Sequence, residues 1–169
     1  MKDKTTKVPA PSFRELWSNP ILMLGFGFGS GLFPKGPGTA GTLLGLLLFI
    51  PLILWNEWLA WTILLLASLF GSAICGKSSE YLGVHDHGGI VWDEFVGIWL
   101  VLLLLPEQNF LYWALAFVAF RLFDIWKPWP ILWVDHKVEG GFGIMLDDVL
   151  AAIYAIGVIW MFDLFVASF

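Results

Sequence analysis

Charged residues are scarce in this sequence of 169 residues, because Asp, Glu, Lys and Arg together make up only 14% of it. An average soluble domain has about 25%. Hydrophobic residues reach 59%, and the mean hydropathy is +0.80. This balance excludes an ordinary soluble domain and predicts one integral membrane domain over residues 21–169. A nucleic-acid partner is not expected.

Cysteine is nearly absent too. Cys75 is the one thiol, so the chain can form neither an internal disulfide nor a zinc site built on several cysteines. A secretory signal is also not expected, because the first apolar run leads into PKGPGT without a small-residue cleavage site. Residues 1–20 are polar and basic, and we interpret them as a cytosolic tail with a short amphipathic stretch at Phe13 to Trp17.

Long apolar runs are what the sequence does contain. We predict an all-α, polytopic membrane bundle with about five transmembrane or membrane-embedded helices and polar segments at 76–89 and 133–143. The glycine-rich run Ile21–Phe33 is too short to cross about 30 Å of hydrocarbon, so we expect a re-entrant or interfacial segment. The predicted helices are Thr42–Trp55, Trp58–Cys75, Ile90–Leu105, Phe110–Trp126 and Ile144–Phe165.

The basic residues predict the orientation. With a cytosolic N-terminus, all nine Lys and Arg fall on the cytosolic side of this five-helix arrangement, as the positive-inside rule requires. The opposite turns, Asn56–Glu57 and Glu107–Asn109, contain no basic residue. The C-terminus is then expected on the outer side.

The same topology brings distant carboxylates to a similar depth near the cytosolic face. Five carboxylates against two cations invite a divalent cation, and all-oxygen ligands suit Mg²⁺ or Mn²⁺. A buried Arg121–Asp124 salt bridge and helix N-terminal acids at Asp147–Asp148 are the purely structural alternatives. Adjacent residues on a helix point about 100° apart, so we expect one of each acidic pair to face the site. The acids are Asp93, Glu94, Asp124, Asp147 and Asp148, and the cations are Arg121 and Lys127.

Several glycine-containing motifs leave their function open. The glycines of 25–31 and the segment 34–39 favour either close helix packing or a phosphate-binding lip with Lys35 and Thr39. Gly140–Gly143 favours an anion site at the start of a helix. Residues 71–78 match GxxxxGK[ST], but they end an apolar helix without a preceding strand, so we reject a phosphate loop. The loop His85–His87 either contacts the site or faces solvent.

Four separated motifs carry a resemblance to a known family. The chain resembles the phosphatidylglycerophosphatase A family of bacterial inner-membrane lipid phosphatases over nearly all of residues 15 to 165. The resemblance implies Mg²⁺-dependent hydrolysis of phosphatidylglycerophosphate to phosphatidylglycerol and phosphate on the cytosolic face of the membrane. The motifs are GFGSGLFPKGPGTAGT (27–42), VHDHGGIVWDEFVG (84–97), FRLFDIWKPWPI (120–131) and GGFGIMLDD (140–148).

On this resemblance, the carboxylates bind the metal or activate water, and the cations hold the substrate phosphate. Asp93, Glu94, Asp124 and Asp148, with Asp147 as a further candidate, form the first group. Arg121 and Lys127 form the second, with Lys35 and Thr39 as additional phosphate ligands. Cysteinyl-phosphate chemistry is disfavoured because no CxxxxxR cradle follows Cys75, and aspartyl-phosphate chemistry because no DxDx[TV] sequence is present.

The sequence leaves two alternative functional classes, a cation transporter and a lipid transferase. A small cation transporter would also place carboxylates in a membrane, but it needs acidic residues at mid-membrane depth, whereas the helix interiors here are apolar. A lipid transferase would need a second substrate site, for which the sequence offers no candidate.

Overall fold

The computed structural model describes residues 8–84 and 87–168, and within these ranges every regular element is a helix. This confirms the all-α prediction for the described part of the chain. The elements are α1 (Phe13–Ser18), α2 (Pro20–Gly25), a 3₁₀ segment (Gly27–Leu32), α3 (Pro37–Trp55), α4 (Glu57–Leu82), α5 (Trp92–Leu103), α6 (Phe110–Trp126), α7 (Ile131–Lys137) and α8 (Gly140–Ala167).

Three of these helices, α3, α4 and α8, are long and apolar enough to cross a membrane. At 1.5 Å per residue their 19, 26 and 28 residues give lengths of about 28, 39 and 42 Å. The helices α5 and α6 are shorter, with 12 and 17 residues. The chain is therefore a helical membrane protein, with α5 and α6 below the usual spanning length.

The helix α5 lies at the centre of the bundle. Ten of its twelve residues are buried, and it packs against α3, α4, α6 and α8. Trp99 stacks on Phe49 of α3 with ring centroids 4.6 Å apart. Gly97 contacts the ring of Phe120 on α6 so closely that an added Cβ would lie 2.6 Å from it. This close packing fixes the position of α5.

The predicted start of α3 and the predicted end of α4 were wrong. Helix α3 begins at Pro37, and its N-cap is Gly36 in the left-handed conformation (φ +67°), so neither Thr39 nor Thr42 caps it. Helix α4 continues to Leu82, so the segment from 76 to 82 is helical. The matched GxxxxGK[ST] sequence lies inside α4, and its rejection as a phosphate loop is confirmed.

The segment 133–143, predicted as a loop, contains most of α7 and the first turn of α8. Two of its three glycines make close contacts with backbone atoms. A Cβ on Gly141 would overlap the carbonyl oxygen of Ser72 on α4, and one on Gly143 would overlap that of Val138. Because α8 starts at Gly140, Asp147 and Asp148 lie two turns into the helix and not in its first turn.

The N-terminal elements are short. Ser12 and Glu15 form a capping box on α1, whose Phe13 and Trp17 are 60% and 73% exposed and stack on each other. Helix α2 and the 3₁₀ segment contain six residues each, and Phe28 inside the 3₁₀ segment has a positive φ of 55°. Neither element reaches spanning length, in agreement with the re-entrant or interfacial segment expected at 21–33.

Candidate active site

Three carboxylates from two helices converge in the bundle. Asp93 and Glu94 lie in the first turn of α5, and Asp148 lies on the face of α8 that packs against it. One oxygen of each lies within 4.8 Å of the other two. Asp93 is 9% exposed and Asp148 only 2%, so water solvates this concentration of negative charge poorly.

Each of these carboxylates has a buried oxygen without a hydrogen-bond partner among the described residues: Asp93 Oδ1, Glu94 Oε2 and Asp148 Oδ2. Buried polar atoms are normally paired, so three unpaired acceptors in one cluster need an explanation. An all-oxygen set of this kind fits a hard divalent cation, which would supply the missing interactions. The cluster predicted from helix depth is therefore present in a form that could hold a metal ion. Both Asp93 and Glu94 reach it, so the expectation that one of each acidic pair faces the site was wrong for this pair.

Arg121 and Asp124 lie beside this cluster, on the last turns of α6. The Arg121 guanidinium forms an ion pair with Asp124, and Nη1 lies 3.7 Å from Glu94 Oε1. The carboxyl groups of Asp124 and Asp148 adjoin each other. Arg121 Nε is buried and has no hydrogen-bond partner in the described structure. One cation thus borders the acidic cluster and keeps a donor available.

Asp147 points away from the cluster, toward Lys127. Lys127 Nζ donates to Asp147 Oδ2 at 2.6 Å and to Asp135 Oδ1 at 2.7 Å. Asp147 Oδ1 accepts a hydrogen bond from the backbone N–H of Asp148 at 3.0 Å. Burial alone would lower the pKa of Lys127, but the carboxylates of Asp147 and Asp135 outweigh it and raise this pKa. Lys127 therefore ties α7 to α8 as an ammonium ion.

Asp135 is the residue of this arrangement that the sequence did not reveal. It lies on α7, in a stretch predicted to be a loop, where no helix face could be assigned to it. The usable signal was its spacing of eight residues from Lys127, across a proline-containing turn. That spacing is weak evidence, because such a turn can point the two side chains in any relative direction.

The first turn of α3 lies directly over the Arg121–Glu94 pair. A Cβ on Gly38 would overlap Glu94 Oε1 and lie 3.1 Å from Arg121 Nη1, so a side chain at this position would displace the Glu94 carboxylate. Lys35 and Thr39, the predicted phosphate ligands of this segment, are exposed on either side of Gly38. They lie at the edge of the site, not inside it.

Of the His85–His87 loop, the residues 85 and 86 lie outside the described ranges. His87 accepts a hydrogen bond at Nδ1 from the Gly89 N–H, and its Nε2 lies 3.0 Å from Val8 O. With Nδ1 as an acceptor, Nε2 carries the proton and donates it. His87 thus ties the chain before α1 to the loop that leads into α5.

Comparison with known proteins identifies the family. The profile of the family described as phosphatidylglycerophosphatase A matches residues 23–163. The chain belongs to the phosphatidylglycerophosphatase A family. Proteins named phosphatidylglycerophosphatase A from Escherichia coli (strain K12) and Haemophilus influenzae are 43% and 50% identical to it. These matches cover 85% and 84% of this chain, and 83% and 88% of the relatives.

A third relative, from Bacteroides thetaiotaomicron, is 40% identical over 79% of this chain and 87% of its own length, and its name provisionally assigns it a phosphatidylinositol-3-phosphatase activity. No solved structure matches the chain. The phosphatidylglycerophosphatase A match includes every helix that contributes to the acidic cluster, and its members are phosphatases. Neither the family nor these relatives support a cation transporter.

Proposed function

We propose that this protein is a Mg²⁺-dependent lipid phosphatase that hydrolyses phosphatidylglycerophosphate to phosphatidylglycerol and inorganic phosphate. The relatives from two bacteria carry the name of this activity. The observation that supports it best is the buried cluster of three carboxylates, each with an unpaired oxygen, beside the guanidinium of Arg121. Metal-assisted phosphate ester hydrolysis needs this combination of anionic metal ligands and a neighbouring cation.

Asp93, Glu94 and Asp148 would hold the Mg²⁺ ion. When bound, the ion would polarise the phosphoryl group and acidify a water molecule. Asp124 adjoins Asp148 and belongs to the edge of the same ligand set. Asp147 would position the ligand Asp148 without binding the ion itself. It accepts a hydrogen bond from the Asp148 backbone N–H and another from Lys127, which holds this turn of α8 in place.

Arg121 is the principal phosphate ligand in this proposal. Asp124 and Glu94 hold its guanidinium, and a planar guanidinium suits the paired oxygens of a phosphate. The first turn of α3 adds two backbone donors, the N–H groups of Gly38 and Thr39, which have no acceptor within the helix. Pro37 before them has no N–H, and the N–H of Ala40 after them already bonds to Gly36 O. Lys127 retains a third N–H donor, and Lys35 supplies positive charge at the outer edge.

The hydrolysis itself places a water oxygen on phosphorus and breaks the bond from phosphorus to the glycerol oxygen. A clustered carboxylate accepts the proton of the attacking water, and the departing glycerol oxygen gains one to become a hydroxyl. Arg121 stabilises the charge on the phosphoryl oxygens as these bonds change. The burial of the carboxylates strengthens each of these electrostatic interactions.

The phosphatase acts at the cytosolic face of the bacterial inner membrane in this proposal. Helices α3, α4, α5, α6 and α8 form the five transmembrane or membrane-embedded helices, with residues 1–20 in the cytosol. The supporting observation is charge: the described Lys and Arg lie at the helix ends that carry the acidic cluster or on the loops beside it. A lipid headgroup would reach the carboxylates at that depth.

Phosphate release from phosphatidylglycerophosphate by the detergent-purified protein tests the proposal. We expect release in Mg²⁺, none in excess EDTA, and recovery when Mg²⁺ is restored. Asp124→Asn should abolish release in a folded protein, whereas the matched variant Asp163→Asn should retain it, since Asp163 lies far along α8 and pairs with Tyr112.

Phosphatidylinositol 3-phosphate serves as the competing substrate. Faster release from this lipid would replace the proposed substrate while keeping the phosphatase chemistry. Activity that survives EDTA would contradict the metal, and absence of release from any lipid phosphomonoester by folded protein would overturn the proposed function.

A further inference from the structure

Three tryptophans are exposed where α6 ends and α7 begins. Trp126, Trp129 and Trp133 are 68%, 78% and 55% exposed, although an indole ring is a large apolar surface that soluble proteins usually cover. The buried residues Ile131 and Val134 pack α7 against the bundle, so the exposed rings belong to a well-packed helix. Contiguous exposed apolar surface of this kind marks a site of contact with a partner.

Helix α7 runs along the first turns of α8 and passes the level of Asp148. At its start, the Trp129 carbonyl oxygen accepts a hydrogen bond from Tyr154 Oη at 3.0 Å, and Tyr154 lies about 9 Å beyond Asp148 along α8. After its end, Val138 O lies against Gly143, which is about 8 Å before Asp148. The start of α7 therefore lies on the membrane side of the acidic cluster, and its end lies on the solvent side.

The exposed side chains of α7 change from apolar to polar along the same path. Trp129, Leu132 and Trp133 are exposed at its start, and His136 and Lys137 are exposed at its end. A short helix with this distribution suits a bilayer interface, where apolar side chains reach the edge of the hydrocarbon and charged ones reach water. A partner that is apolar throughout, or one that is polar throughout, would match only half of it.

A second group of exposed tryptophans lies at the opposite end of the bundle. Trp55 and Trp58 flank the turn between α3 and α4 and are 78% and 84% exposed. Gly38 of α3 contacts Glu94 and so marks the level of the acidic cluster. From there to Trp55, α3 extends about 26 Å, close to the roughly 30 Å of a hydrocarbon layer. Two tryptophan levels at this separation match the aromatic belts of the two bilayer interfaces.

We propose that Trp126, Trp129 and Trp133 form an interfacial anchor, which holds this corner of the bundle in the headgroup layer of the bilayer with phospholipid as its partner. The anchor is continuous with the exposed apolar surface of α6 at Leu122 and Ile125, so the same lipid covers both. Since α7 passes the level of the acidic cluster, the cluster lies at the boundary between hydrocarbon and headgroups. This inference goes beyond the proposed function and does not depend on it.

Electron paramagnetic resonance measures the depth of the anchor without any substrate. In a Cys75→Ala background, nitroxide labels are attached to the variants Trp126→Cys and Trp133→Cys in phosphatidylcholine vesicles. Oxygen concentrates in hydrocarbon and a neutral nickel complex stays in water, so the ratio of their relaxation effects reports depth. Leu122→Cys, one turn further into the membrane on α6, and Lys137→Cys, at the polar end of α7, are the references. We expect both tryptophan positions to give ratios between those of the two references.

Three outcomes overturn the proposal. Ratios equal to that of Lys137→Cys would place α7 in water, and ratios equal to that of Leu122→Cys would place it inside the hydrocarbon. Protection of the label from both reagents would mean that protein, such as a second copy of this chain, covers the anchor.

Photolabelling of the wild-type chain provides a second test that needs no cysteine variant. Phosphatidylcholine with a diazirine close to the headgroup, or at the end of one acyl chain, is photolysed with the protein in vesicles, and labelled peptides are mapped by mass spectrometry. We expect the shallow probe to label residues 126–133 several-fold more than the deep probe, and the deep probe to label the exposed residues Leu65 and Val158 instead. Equal labelling of 126–133 by both probes, or by neither, overturns the anchor. Neither experiment requires hydrolysis, so a failed anchor and a failed phosphatase proposal are distinguishable.

Discussion

Asp148 is the most deeply buried member of the acidic cluster. Its negative charge is repelled at short distance by the negative charges of Asp93, Glu94 and Asp124. Without a cation, this arrangement is repulsive and each removed charge relieves strain on the fold. With a cation, the same oxygens become ligands. The effect of Asp148 on stability should therefore reverse when a divalent ion is added.

Asp148→Asn tests this reversal. In EDTA the variant should be at least as stable as the wild type, whereas Mg²⁺ should raise the melting temperature of the wild type and leave that of the variant nearly unchanged. Phosphate release should fall roughly 100-fold or more. The measurements are thermal unfolding in detergent and phosphate release, with Asp163→Asn as the control. A variant that Mg²⁺ stabilises as much as the wild type would exclude Asp148 as a ligand.

Lys127 connects Asp135 of α7 to Asp147 of α8, and it is about a fifth exposed. Lys127→Met removes the cation that pairs with both carboxylates, so we expect the free energy of unfolding to fall by about 2 kcal/mol, less than for a fully buried pair. Because the pKa of Lys127 is raised, its ammonium is lost only at strongly alkaline pH, and this contribution should be constant through the neutral range.

Denaturation in detergent at several pH values, together with phosphate release, measures both effects. Asp135→Asn removes only one of the two ion pairs and should cost less stability and less activity than Lys127→Met. The exposed Lys137 of α7 provides the control, since Lys137→Met should change neither quantity. Equal effects of the variants at 127 and 135 would argue against a separate contribution of Asp147.

At the scale of whole elements, close approach of α4 and α8 positions Asp148, and Gly141 permits it. Gly141→Ala places a methyl group onto the Ser72 carbonyl oxygen, a backbone atom that cannot rotate away. We expect the helices to separate, with a loss of about 2 kcal/mol in stability and a large loss of phosphate release. Gly157→Ala is the matched control on the same helix, because nothing lies within 4 Å of its added Cβ. Comparable behaviour of the two variants would show that this contact does not position the site.

The elements also explain which features the sequence could predict. Helix α6 was predicted with its observed bounds because Asn109 caps its start and the prolines after Lys127 prevent its continuation. The sequence did not predict that α4 continues to Leu82, because Ser78 and Ser79 are polar residues that suggest a loop. Both are buried in the structure. The seven-residue α7 is too short for periodicity to reveal it, and Asp135 was missed with it.

The depth of the helix ends predicted the cluster of Asp93, Glu94 and Asp148, since depth follows from where each apolar run starts. Depth carries no information about the rotation of a helix around its axis. That rotation decides that Asp148 faces the cluster while Asp147 faces Lys127, and it is set by tertiary contacts such as Gly141 against α4. For Asp147 and Asp148, the sequence therefore predicts that one of the two residues faces the cluster but does not predict which one.

At the scale of the whole molecule, the number of membrane crossings depends on the α5–α6 hairpin. Crossings by α3, α4 and α8 alone, or by these and the hairpin, place the C-terminus on the same side, so its location does not discriminate. The side of the membrane on which the turn at Glu107 lies does discriminate between three and five crossings. Helix α5 is only about 18 Å long, but the apolar residues Leu104 and Leu105 follow it, which extends the hairpin toward the outer face.

Cysteine labelling with a membrane-impermeant maleimide decides between these topologies. In a Cys75→Ala background, we expect Glu107→Cys to react in right-side-out vesicles and Lys77→Cys to react only in inverted ones, because both positions are exposed at opposite ends of the bundle. Failure of Glu107→Cys to react from either side would keep the hairpin inside the bilayer and reduce the crossings to three. Reaction of Lys77→Cys from outside would move the acidic cluster to the outer face and contradict the proposed cytosolic site.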